Sequence, residues 1–139
     1  PGAPPQGLDS SCDAPRGDGG RRHGALDIPA PLGTPVVAAA AGTIEKLFHS
    51  DAGGNTVYIR SPDTRWVHYY AHLDSYAPAL AEGRTVERGQ PIGTVGSSGN
   101  ADPAAPHLHF EVKRMNPGEA WYQGNAVDPF TLLTNTRRR

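Results

Sequence analysis

The sequence predicts a mostly β domain, a small antiparallel sheet or sandwich with little helix. Three observations point there. Seventeen Gly and 14 Pro are spread through 139 residues, a density that interrupts helices repeatedly and favours short strands joined by turns. Apolar residues recur with a period of two in short runs bounded by Gly, Pro, Asn and Asp clusters. A single cysteine, Cys12, excludes an internal disulfide, so packing, a metal or both must hold the core. The length fits one domain at about 150 residues each. Thirteen Lys and Arg against 14 Asp and Glu leave a formal charge of −1, which gives no broad electrostatic reason to bind nucleic acid or an anionic membrane. The longest purely apolar run, Val36 to Ala41, is six residues. A membrane-spanning helix needs about 20, so no membrane insertion is expected.

Taken in order, residues 1–20 hold four Pro and five Gly with Leu8 as the one large aliphatic, too little apolar surface to order the segment, and read as a flexible arm. Cys12 within it, without a second Cys at metal or redox spacing, reads as a loop thiol. The domain proper is expected over 21–133, followed by a basic tail at 134–139 that ends in three arginines. Pro35 to Phe48 reads as two short strands or one strand bent at Gly42. Asp51 to Asn55 is a turn. In Thr56 to Arg60, Val57 and Ile59 face one way and Tyr58 and Arg60 the other. After a turn at Ser61 to Thr64, Trp66 to Leu73 reads as a strand with Trp66, His68, Tyr70 and His72 on one side and Val67, Tyr69, Ala71 and Leu73 on the other. A short helical turn is expected near Ala77 to Glu82, then β structure within Thr85 to Val95. In the last clear strand, His107 to Val112, Leu108, Phe110 and Val112 form a core face and His107, His109 and Glu111 a polar one.

Six histidines carry the chemistry. At His107-Leu108-His109 the apolar alternation selects a strand, which places both imidazoles on one face. Such a pair can be hydrated or can serve a metal that keeps one ring neutral, and spacing leaves open which of the two would be the ligand. His23 and Asp27 stand four residues apart and return to one side in either helical or extended structure. Gly20, Gly24, Pro29 and Pro31 disfavour a helix there. His72 sits on the side of its strand read as polar, with His68 about 13 Å away on the same face as at best a groove residue. His49, beside a turn, reads as solvated. Tyr70 reads as packing or as a groove wall. Two imidazoles and a carboxylate suit Zn²⁺, and catalytic zinc sites keep three protein ligands and one open position. That chemistry hydrolyses amides.

From about Arg21 to Leu133 the chain resembles the lysostaphin/LytM-type zinc endopeptidases, which cut peptide bonds in bacterial peptidoglycan. The resemblance rests on His23-x-x-x-Asp27 with Ile28-Pro29-Ala30-Pro31-Leu32-Gly33-Thr34-Pro35-Val36, then Gly53-Gly54-Asn55-Thr56-Val57, Tyr70-Ala71-His72-Leu73 and Gly89-Gln90-Pro91-Ile92-Gly93. It continues through Gly96-Ser97-Ser98-Gly99-Asn100, Pro106-His107-Leu108-His109-Phe110-Glu111 and Val127-Asp128-Pro129. It implies a LytM-type, duplicated-hybrid-motif-like β domain with one zinc held by His23, Asp27 and His109. It also implies that His72 and His107 are the catalytic pair, which orients or deprotonates the attacking water and stabilises the oxyanion. Peptidoglycan peptides would be the substrate of a monomer working in the cell envelope or secreted. Two features depart from the pattern: Ala25 stands where the family commonly has Gly, which would be strained at positive φ, and no tyrosine precedes His23.

Two other readings compete. A non-catalytic member of the same family would bind wall or regulate another hydrolase, but such members usually lose zinc ligands, and this chain keeps them. A phosphohistidine carrier of similar architecture also pairs two histidines, yet its chemistry has no need of Asp27 with His23.

Overall fold

The computed structural model describes residues 21–22 and 25–127. The expected arm at 1–20, the tail at 134–139, Cys12 and His23 lie outside them. Among the described residues the chain is antiparallel β structure without a helix, and so no helix long and apolar enough to cross a membrane occurs. The strands are β1 (Arg21–Arg22), β2 (Ala25–Pro29), β3 (Pro35–Val37), β4 (Gly42–Ser50), β5 (Gly54–Arg60), β6 (Trp66–Tyr76), β7 (Thr85–Val86), β8 (Pro91–Val95), β9 (His107–Arg114) and β10 (Asn125–Val127). Their order across the sheet is β1-β2-β9-β6-β5-β4-β7, with β10 added to β9, and β8 pairing both β3 and β6. The stretch from Pro35 to Phe48 is thus two strands, and Gly42 opens the second.

The central strands are covered on both faces. Val57 and Ile59 of β5 and Tyr70 and Leu73 of β6 join Val36, Ile44, Val86, Ile92 and Val95 in the main core, with Leu108 and Phe110 of β9 against it. On the reverse face, Tyr58, Val67, Tyr69, Ala71 and Met115 form a second cluster closed by Phe48 and Trp121. The alternation expected in β5 is therefore correct, but the reverse face is no hydrated surface: His109, Glu111 and Lys113 are buried on it. Lys113 reaches across that face, donating from Nζ to the Trp121 carbonyl at 3.2 Å and lying over the Tyr58 ring. Long aliphatic stems of this kind bury well while the ammonium keeps a polar partner.

Three expectations change. The Ala77 to Glu82 stretch is a hydrogen-bonded turn, Leu80 N–H to the Ala77 carbonyl, with no helix. Pro78 supplies no N–H and Ala79 adopts φ 68°, which together prevent helical propagation. Ala25 lies buried in β2 and is not among the positive-φ residues, so the strain considered for it does not arise.

His68 also differs from expectation. Its partner in the register is Val112, and its ring packs edge-on against Phe110 at 5.7 Å, on the main-core side and away from His107 and His109. Burial lowers its pKa below the usual histidine value of 6.5. The folded chain then resists the proton that the unfolded chain accepts. The stability His68 contributes is present above pH 6.5 and is lost as pH falls through its lowered folded value. Unfolding of His68→Leu followed by circular dichroism should show a Tm that gains on the wild type as pH is taken from 7 to 5. Parallel Tm curves would refute this account of His68.

Candidate active site

The site is built where two pairings of β9 and one irregularity of β6 meet. The β2–β9 register sets Asp27 directly opposite His109, with Leu26 facing Phe110 and Ile28 facing Leu108 on the other side. Facing residues in an antiparallel pair share a side of the sheet, so the Asp27 carboxylate and His109 imidazole come together. Asp27 Oδ1 lies 2.8 Å from His109 Nδ1 and 3.8 Å from His107 Nε2. His109 is 2% exposed, whereas the His107 and Asp27 side chains keep 21% and 17% of their surface open to the cleft.

Strict alternation would send His72 to the main-core side with His68 and Tyr70. It does not go there. Between Tyr70 and Leu73 the β5–β6 register shifts, and His72 takes φ 62°, the left-handed region that non-glycine residues rarely occupy. At the same place β6 exchanges one partner for another: Trp66 to Ala71 pair with β9, and Leu73 to Tyr76 pair with β8. His72 stands in the gap, its ring 5.1 Å from that of His107 and 5.8 Å from that of His109. Its backbone N–H donates to the Gly53 carbonyl at 2.8 Å, and its Nδ1 is 2.7 Å from the Ser98 carbonyl oxygen.

A carbonyl oxygen only accepts, so that contact places the proton of a neutral His72 on Nδ1 and makes Nε2 the unprotonated ring nitrogen. His107 is held alike, Nδ1 donating to the Ala105 carbonyl at 3.1 Å, which leaves Nε2 on the Asp27 side. Both imidazoles can accept or release a proton at Nε2 without turning. On the far edge of His109, Nε2 lies 3.0 Å from Glu111 Oε2.

Asp27, His72, His107 and His109 share a cleft of about 230 Å³ with Asn100, Ala101 and Asp102. Asn100 and Asp102 belong to a loop with no alternation to mark them in the sequence. Glu111 was visible as a polar-face residue of β9, but its contact with His109 could be known only once the rotamers were fixed. Among the other histidines, His49 is exposed and pairs through Nδ1 with Asn55 Oδ1 at 2.9 Å, and it does not line the cleft. Tyr70 is packing: it is buried, its hydroxyl accepts the Ala39 N–H at 2.9 Å, and burial pushes its pKa up to about 12.

An imidazole nitrogen and a carboxylate oxygen facing one another, with the remaining ring nitrogen on a second carboxylate, is a donor arrangement that suits a divalent cation such as zinc. Asp27 and His109 would be two of its ligands. Among the described residues no group of three His, Cys, Asp or Glu side chains converges for a metal. The third ligand expected from the sequence, His23, lies outside them.

The sequence profile of peptidase family M23 matches residues 21–129. The chain is 38% identical over 124 residues to an L-Ala–D-Glu endopeptidase of Bacillus subtilis, covering 85% of this chain and 36% of that protein. It is 40% identical over 91 residues to the peptidoglycan DD-endopeptidase ShyC of Vibrio cholerae, covering 66% of this chain and 20% of the relative. Its fold superposes on the catalytic domain of the antimicrobial peptidase lysostaphin from Staphylococcus simulans with a TM-score of 0.68 and 32% identity, covering 86% of this chain and 85% of that one. The chain thus spans about a third or less of these two curated relatives and most of the lysostaphin domain. It belongs to peptidase family M23, and it has the antiparallel β fold of the lysostaphin/LytM catalytic domains.

The seat of His72 depends on the close approach of two loops. Gly54, at φ +68°, lies against Ser98 and Gly99, and a Cβ added there would sit 2.6 Å from the Gly99 nitrogen and closer still to Ser98. Gly54→Ala should therefore destabilise by about 2 kcal/mol or more in a denaturant titration. Gly33→Ala, at φ +87° but with no neighbour within 4 Å of the added carbon, should cost only about 1 kcal/mol. Equal losses would show that the contact between the loops has no part in the effect.

Proposed function

We propose that this member of family M23 is a zinc-dependent endopeptidase that hydrolyses peptide cross-links or stem peptides of bacterial peptidoglycan, as a monomer in the cell envelope or secreted. One observation carries the reading: Asp27 and His109 face each other at 2.8 Å on the floor of a cleft whose walls hold two further imidazoles of fixed tautomer. The named activities of the Bacillus and Vibrio relatives support the substrate class.

Asp27 and His109 would hold the zinc together with His23, four residues before Asp27 in the sequence. When bound, zinc supplies Lewis-acid polarisation of the scissile carbonyl and lowers the pKa of water at the site. The remaining work falls to the chain. His72, with Nδ1–H tied to the Ser98 carbonyl, presents an unprotonated Nε2 that takes the proton of the attacking water. As the water oxygen bonds to the carbonyl carbon, negative charge gathers on the carbonyl oxygen, and His107 in its imidazolium form, with Nδ1–H on the Ala105 carbonyl, stabilises it through the second N–H at Nε2. The C–N bond then breaks, and a protonated imidazole of the pair delivers its proton to the leaving amine. Carbonyl tethers on both rings remove the rotation that would otherwise precede each transfer. No upstream tyrosine is required by this scheme, because the oxyanion donor lies within the histidine pair.

Asp27→Ala and His109→Ala should lose both zinc, measured by atomic absorption after dialysis, and activity, measured by turbidity loss of purified cell walls. His72→Ala should keep zinc and lose turnover by about 10²-fold or more. A metal-free wild type that cleaves walls at full rate would end the zinc reading. Full activity of His72→Ala would remove that residue from the chemistry.

A further inference from the structure

One buried charge near the cleft has no part in the scheme above. Glu111 is 5% exposed, in the middle of β9, with Ala25 of β2 and Tyr69 of β6 as its cross-strand neighbours. Removing a carboxylate from water is costly, and it is tolerated where the group accepts hydrogen bonds that depend on its charge. The contact it makes toward the cleft is with His109: Oε2 is 3.0 Å from Nε2, two residues away on the same face of the strand. His109 therefore lies between two carboxylates, Asp27 on Nδ1 and Glu111 on Nε2.

We propose that Glu111 is a positioning residue that holds His109 as its Nε2–H tautomer and thereby keeps the Nδ1 lone pair directed at Asp27. An ionised carboxylate only accepts, so a neutral His109 bonded to it carries its proton on Nε2. A neutral imidazole with Nε2 protonated has its one lone pair at Nδ1, on the side where Asp27 Oδ1 stands at 2.8 Å. Packing prevents the ring from escaping this choice: His109 is 2% exposed, Ala71 lies opposite it on β6, and Tyr69 meets it edge-on at 6.0 Å. The role rests on the reading of Asp27 and His109 as zinc ligands, since a metal can use Nδ1 only where no proton occupies it. Glutamine at 111 would keep the shape but could turn its amide to donate to Nε2, which would move the His109 proton to Nδ1 and block the ligand atom.

The test uses the whole chain, Zn²⁺ as the probe and two readouts other than activity. Zinc affinity is measured by competition with a chromophoric chelator for the wild type and Glu111→Gln, with unfolding midpoints recorded beside it. The tautomer of His109 in the zinc-free wild type is read from long-range ¹H–¹⁵N couplings. A folded Glu111→Gln protein that binds zinc about 10- to 100-fold more weakly supports the positioning role. Affinity within twofold of the wild type overturns it while leaving the metal site standing. A wild type that binds no zinc instead overturns the site reading itself, and this role with it. Should Glu111→Gln fail to fold, the zinc-free wild-type spectrum decides: a His109 proton on Nε2 before metal is added supports the assignment, and a proton on Nδ1 alone overturns it.

Discussion

The register between β2 and β9 is the constraint on which the site depends. Side chains alternate across a strand, so sliding β2 by one residue against β9 would turn Asp27 toward the main core and bring Leu26 or Ile28 over His109. No repositioning of side chains could mend that. The register is held from both faces: Leu26 and Ile28 lie opposite Phe110 and Leu108 on the core side, and buried Ala25 stands beside Glu111 on the other. A slip would expose the first pair and force the carboxylates among apolar neighbours. The pattern that specifies folding therefore also specifies where the carboxylate meets the imidazole.

The second element is a local departure from that regularity. β6 pairs with β9 as far as Ala71 and with β8 from Leu73 onward, and the residue between them cannot satisfy both ladders. His72 absorbs the change by adopting positive φ, a conformation that costs a non-glycine residue about 1–3 kcal/mol. Hydrogen bonds to the Gly53 and Ser98 carbonyls offset it. Those loops are themselves tied together, Asn55 N–H donating to Ser98 Oγ and Ser98 Oγ–H to the Leu73 carbonyl. The irregular backbone turns a side chain that alternation assigns to the core into the cleft. Gly96, bridged to His107, closes the same junction from the β8 side.

How much of this was legible in the sequence follows from which physical rule governs each residue. Where the period of two held, reading was sound: His107 and His109 share a face, Val57 and Ile59 enter one core, and Tyr58 enters the other. Alternation alone misplaces His68, because the face it shares with Tyr70 is not polar: Phe110 and the main core lie on that side. For His72 the alternation was right up to Tyr70, and the bulge then reversed the consequence. Nothing at 72 announces a bulge, although the paired glycines at 53 and 54 mark where a neighbouring backbone comes close. The separation of His107 from His109 lay beyond spacing alone, because it depends on which ring faces Asp27 at 2.8 Å and which at 3.8 Å. The donors on the 100–102 loop and the Glu111 contact arise from tertiary packing and leave no local periodicity to read.

Four histidines of the two central strands show how environment sets the chemistry of one residue type. His68 meets Phe110 on the core side, and burial there lowers its pKa. His109 is buried as deeply as the core itself, yet it has a carboxylate on each ring nitrogen. His72 and His107 each set Nδ1 against a backbone carbonyl. A backbone carbonyl fixes the tautomer of a proton-transfer residue without adding a charge beside it. A ligand to a cation has the opposite need, and there the carboxylate is the better neighbour. These rings thus differ in what each Nδ1 and Nε2 touches, and the strand pairing decides those partners.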